Sequence, residues 1–174
     1  SLTAAIIAML IQQSLMTMTT AAIPALWVYI GPDFGLTPAQ IAVYSLAVYC
    51  IGFFSSSAAG SSIIRFGPLR SSQMCLIAAA WAMLVASFGV LWLILPAALL
   101  LGAGMGPSTP SSSQILARFA TTQQAPLVFS IKQTGVPIGG FMAGAVLLPI
   151  AHAFSWEVAL FITGCVAWAA AIWM

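Results

Sequence analysis

The sequence predicts an all-α membrane protein, a bundle of six transmembrane helices, and three observations predict it. The 174 residues are 62% hydrophobic and only 3% charged, with a mean hydropathy of +1.11, whereas a soluble domain carries about 25% charged residues. The six charges are Asp33, Arg65, Arg70, Arg118, Lys132 and Glu157, too few to cover a water-facing surface. They also divide the chain into apolar stretches at 1–32, 34–64, 71–117, 133–156 and 158–174. A spanning helix needs roughly 20 apolar residues, so the third stretch holds two helices and each of the others holds one. Lipid is therefore the first partner, and no nucleic-acid partner is expected.

In chain order the helices are expected near 4–30, 39–63, 71–89, 92–117, 127–150 and 156–174. The first break is Gly31 to Pro38, where two prolines and two glycines interrupt the apolar run. Arg65-Phe-Gly-Pro-Leu-Arg70 makes the second, a turn near Ser87-Phe-Gly89 the third, Arg118 to Pro126 the fourth, and Ala151 to Ser155 the fifth. The first helix is too long, and lacks the basic start, for a cleavable signal peptide. A start at Ser1 and a stop inside an apolar run predict a chain truncated at both ends. Cys50, Cys75 and Cys165 fall singly inside helices, without metal-ligand spacing. They read as small apolar fillers, and neither metal nor cofactor is expected.

With six spans, Arg65, Arg70, Arg118 and Lys132 fall on one face of the membrane, and Asp33, His152 and Glu157 on the other. Loops bearing Lys and Arg stay cytoplasmic, so both chain ends are expected there. A second pattern repeats every three helices. The first and fourth are polar, with Gln12, Gln13, Thr17, Thr19 and Thr20 in one and Ser108, Thr109, Ser111, Ser112, Ser113 and Gln114 in the other. The second and fifth are rich in small residues: Gly52, Ser56 and Gly60, then Gly135, Gly139, Gly140 and Gly144. The third and sixth are Ala- and Trp-rich. The expectation is that helices 1 and 4 face water, helices 2 and 5 pack closely through small residues, and helices 3 and 6 face lipid. That arrangement is two three-helix repeats, about 1–89 and 90–174, in one six-helix domain.

Two motifs then carry a resemblance. Gly60-Ser-Ser-Ile-Ile-Arg65-Phe-Gly67-Pro-Leu-Arg70 is similar to a cytoplasmic loop that usually reads G-x-x-x-D-R-x-G, followed by basic residues. Gly60, Arg65 and Gly67 match, Arg70 supplies a later basic residue, and Ile64 stands where the aspartate usually does. Gly135-Val-Pro137-Ile-Gly139-Gly140 is similar to a G-P-x-x-G-G motif with its proline displaced by one position. Together they resemble the N-terminal half of a bacterial major facilitator superfamily transporter, across nearly the whole chain. The resemblance implies inverted three-helix repeats, a second six-helix half (C-terminal or another copy), and alternating access around a midplane site. It also implies a bacterial inner-membrane location and gating or packing roles for Gly60, Arg65, Gly67, Arg70, Gly135, Pro137, Gly139 and Gly140.

Gln13, Thr17, Thr20 and Pro24 recur at steps of four, three and four, one stripe of a helix. The stripe either lines a cavity or makes interhelical hydrogen bonds. In the fourth helix Gly102 and Gly106 make a G-x-x-x-G, and Pro107 and Pro110 free carbonyls that the serine run can satisfy. Ser108, Thr109, Ser112 and Ser113 are thus either cavity groups or helix repair. Lys132, beside Gln133, is the one ionisable group inside the membrane, about five residues or roughly 7 Å into its helix. It either snorkels to the interface, serves as a cytoplasmic gate, or contacts an anion. No acid lies in any helix core, so a proton relay would need a carrier elsewhere, and the net charge of +2 favours an anionic cargo.

The leading reading is a secondary transporter of a small solute and not an enzyme. One alternative is a non-transporting, transporter-like structural or assembly subunit of a larger membrane complex. A remote one is an intramembrane serine hydrolase built on Ser108 and His152, whose expected positions at opposite ends of their helices forbid contact.

Overall fold

A computed structural model describes residues 1–174 and contains six helices long and apolar enough to cross a membrane, with no strand. They are α1 (Leu2–Asp33), α2 (Ala39–Ser57), α3 (Pro68–Ala86), α4 (Leu91–Phe119), α5 (Ala125–Ala153) and α6 (Trp156–Trp173). The second helix, expected to run unbroken to residue 63, stops at Ala58, and a short helix, Ala59–Phe66, follows it. The serine run before the break explains the stop. Ser55 and Ser56 donate their hydroxyls to the carbonyls of Gly52 and Phe53 at 3.1 and 2.6 Å, bonds that compete with the helical ladder. Gly67 then turns the chain at φ 82°, a conformation open to glycine. Pro68 starts α3 at a position where its missing N–H costs nothing.

The fifth helix, also expected to be continuous, is broken twice. Helix Ala125–Gln133 passes through Thr134 into Gly135–Met142, then into a π-helical turn, Ala143–Leu147, before Leu148–Ala153 completes the span. Pro137 and Pro149 account for both irregularities, because each lacks the N–H that would pair with the carbonyl four residues earlier. Those carbonyls belong to Gln133, at the first break, and to Ala145, inside the π turn.

The packing is not that of six equal staves. α2 lies against α4, and α5 against α1; α3 sits between α4 and α6, and α1 touches both α4 and α6. The main core comprises Ile23, Leu26 and Ile30 of α1, Leu76, Ala79, Ala80, Met83 and Ala86 of α3, Leu101 of α4, Leu147 of α5 and Leu160 of α6. This corrects the expectation for the third helix, which does not simply face lipid. Its alanine face is fully buried, and only the side bearing Leu69, Met74 and Trp81 is exposed. A helix without polar groups is equally suited to lipid and to a neighbouring apolar helix, and here alanine lets the neighbours come close.

The two ends of the bundle differ. One gathers Ser1, Phe66 to Arg70, Arg118, Phe119, Trp173 and Met174 around a cavity of about 630 Å³, so both chain ends and both arginine-bearing connections share it. At the other, the Trp156 indole N–H donates to Asp33 at 2.6 Å and Phe34 meets Trp156 edge-on at 6.0 Å. The end of α1 is thereby fastened to the start of α6.

Candidate functional site

Helix geometry brings the α1 stripe together with α4. Gln13, Thr17 and Thr20 line a pocket of about 220 Å³ with Met16, Tyr49, Met105, Ser108, Thr109 and Val136, so four helices contribute to it. The threonine hydroxyls do not reach across to other helices. Thr17 donates to the Gln13 carbonyl at 3.0 Å and Thr20 to the Met16 carbonyl at 2.8 Å. Their protons satisfied within α1, their oxygens remain as acceptors. The side-chain oxygen of Gln13 is buried without a partner. Pro24, expected on the same stripe, lies outside the pocket lining.

Lys132 occupies a second pocket, of about 310 Å³, with Thr109, Ser113, Phe129, Ser130 and Gln133. Thr109 belongs to both. The lysine does not snorkel. It is 1% exposed, and its ammonium donates to the Thr109 carbonyl at 3.3 Å and to the Ser113 hydroxyl at 3.1 Å. A stem that points across to α4 in this way cannot also reach the interface. Neither acid of the chain is near: Asp33 and Glu157 lie at the far end, where Asp33 meets Trp156 and Glu157 lies against Gly89. A buried ammonium thus stands without a counter-ion among these 174 residues.

Of the serine run, Ser112 lines neither pocket and bonds the carbonyls of Ser108 and Thr109 at 2.8 and 3.1 Å, not those of Ala103 and Gly106 that Pro107 and Pro110 leave without a helical partner. Ser108 and Thr109 line the first pocket and Ser113 the second. One residue was missed. Gln12, outside the chosen stripe, is fully buried and donates its amide to Ser108 at 3.2 Å, tying α1 to α4. The available signal was cost, because a buried amide without a partner loses about 2–7 kcal/mol and the serine run is the nearest polar supply. That bond also occupies Ser108, while His152 lies exposed near the end of α5; the hydrolase pairing finds no support.

The glycines and arginines fall into separate groups. A β-carbon on Gly139 would collide with the Ser14 carbonyl, and one on Gly135 would lie 3.0 Å from the Leu10 carbonyl, so both hold α5 against the backbone of α1. Gly60 and Gly140 have open space where a β-carbon would stand, with no neighbour within 4 Å among these residues. Gly67 has equally open surroundings and is the turn glycine, and Pro137 is exposed at the kink. Arg65 lies over the Phe66 ring at 5.2 Å, while Arg70 lines the large cavity with Arg118.

No group of His, Cys, Asp and Glu side chains is gathered as a metal ion would need. No curated protein matches the chain. A family model, that of the Major Facilitator Superfamily, matches residues 8–174, nearly the whole length and all six helices. This chain therefore belongs to the Major Facilitator Superfamily.

Proposed function

We propose that the chain forms one six-helix half of a secondary active transporter that moves a small solute by alternating access. Membership of the superfamily supports transport in general. The observation that carries the reading further is the polar pocket bounded by α1, α2, α4 and α5, with an unpartnered amide oxygen from Gln13. Polar groups in hydrocarbon are costly unless paired, and a group left unpaired between four helices suits a ligand or water. The substrate path is Gln13, Thr17, Thr20, Ser108, Thr109, Ser113, Lys132 and Gln133, and the fixed positive charge favours an organic anion.

The reading includes two inverted repeats, about 1–89 and 90–174. Inversion exchanges α1 with α4 and α2 with α5, so the α1–α5 contact becomes the α4–α2 contact, and both occur. A second half, either C-terminal or another copy of the chain, completes the path, and α2 is the helix with most surface to offer it. The arginine-bearing end faces the cytoplasm of a bacterial inner membrane, where Arg65, Gly67 and Arg70 take part in gating.

The test is uptake of labelled solutes into proteoliposomes by the protein that carries this chain, with a hydrophilic thiol reagent applied to Thr17→Cys. Uptake, together with labelling from one side that cargo slows, is expected. A folded protein that moves no solute, and whose introduced thiol never labels, would leave the transporter-like structural role instead.

A further inference from the structure

The charge and shape of the two pockets that share Thr109 define a class of cargo. Resting on the transport reading above, we infer that the cargo is a small monoanion with a hydrogen-bonding body, its carboxylate paired with Lys132 and its body beside Gln13. Two observations place the anion. An ammonium has three N–H donors, and Thr109 and Ser113 take two, which leaves one donor unmet in a pocket open to a ligand. The charge is unmet within these 174 residues, since Asp33 and Glu157 are the only acids among them and both lie at the other end. A buried charge is tolerated where it is paired, so its partner lies outside these residues, and the open pocket beside Lys132 gives a cargo access to it.

One positive charge fixes the valence. A single carboxylate neutralises Lys132, whereas a phosphate monoester or dicarboxylate would bring an excess negative charge between helices that hold no second cation, the arginines lying at the end of the bundle. Thr109, which lines both pockets, sets the shape: a head on Lys132 with its body beyond Thr109 would lie in the first pocket. There the Gln13 amide oxygen lacks a donor, and a hydroxyl on the cargo would supply it. Met16, Met105 and Val136 present the apolar remainder of that lining. A hydroxy acid anion of a few carbons has these features.

The experiment measures ligand-induced shifts in the unfolding temperature of the purified protein. Glycolate, lactate, glycerate and gluconate serve as monoanions, malate and glycerol phosphate as dianions, and the amides of the first four as neutral isosteres. At least one monoanion should stabilise wild-type protein at millimolar concentration while its amide and the dianions do not. Lys132→Gln should weaken that binding about thirtyfold or more, the effect of removing one partner of a buried charge pair, and Ser113→Ala by less. Because wild-type protein answers first, poor folding of a variant leaves the comparison of acid with amide intact. An amide that stabilises as well as its acid, a dianion that binds best, or no response to any compound overturns the inference; Lys132 then pairs with a carboxylate of the second half. Uptake of a neutral solute would overturn this inference and leave the transport reading standing. Acid binding without movement into sealed vesicles would do the reverse.

Discussion

The α1–α5 and α2–α4 contacts occupy corresponding places in the bundle and are built from opposite sides. In the first, Gly135 and Gly139 of α5 let the backbone of α1 approach at Leu10 and Ser14. In the second, the glycines belong to α4. A β-carbon on Gly102 would stand 2.5 Å from the Val48 carbonyl, and one on Gly106 would strike Ser55 and the Gly52 carbonyl. Both pairs are four residues apart, so each presents one smooth face. The difference teaches that close approach needs a glycine pair on one partner only. It also shows that the tightest glycines of the second contact belong to α4. A β-carbon on Gly52 of α2 would meet the flexible tip of Met105 at 2.5 Å and the Gly102 carbonyl at 3.6 Å, and one on Gly60, in the short helix beyond, would meet nothing within 4 Å.

The largest expected effect tests whether the two contacts are equivalent. Gly139→Leu and Gly106→Leu should each cost about 3 kcal/mol or more, because a large side chain must enter where two backbones touch. Fluorescence-detected size exclusion in detergent should show little monodisperse protein for either. Normal yield for one alone would break the equivalence. A smaller change should come from Gly102→Ala, about 1–3 kcal/mol, since Val48 and Ile51 offer backbone and β-carbon atoms that cannot swing aside. Gly52→Ala at the same interface should cost less, because Met105 can turn away, and a thermal-stability assay ranks the two.

The Gln12–Ser108 bond lies between the two contacts and holds α1 to α4. A double-mutant cycle on Gln12→Ala and Ser108→Ala should return a coupling of about 0.6 kcal/mol, the average for such pairs in membranes. A coupling of zero would mean that glycine packing alone joins the halves of the bundle. The smallest effect is expected from Gly60→Ala and Gly140→Ala, which should leave folded yield unchanged. A loss at either in the isolated chain would reinstate them as packing residues.

The same contrast explains what could be read in advance. The six spans were legible because charges are so costly in lipid that they mark the ends of helices. The shared end of Arg70 and Arg118 followed from counting spans, and the pocket stripe Gln13, Thr17 and Thr20 from helical period. The buried face of α3 was not legible, since lipid and protein interior are equally apolar and leave no amphipathic signal to separate them. Nor was the direction of Lys132: at one turn's depth its stem reaches either the interface or α4, and only the position of Ser113 decides. The breaks in α5 were written in Pro137 and Pro149, but a proline specifies a lost hydrogen bond and not how the helix absorbs it.

Those breaks divide α5 into pieces that need not move as one rod. The ladder of backbone hydrogen bonds is what lets a helix pass torque along its axis, and at Thr134 and again at Ala143–Leu147 that ladder is irregular. Lys132 rides on the first piece, while Gly135 and Gly139, pinned to α1, ride on the second. The glycine seam therefore constrains the second piece directly, and the piece that carries Lys132 only through the backbone at Thr134.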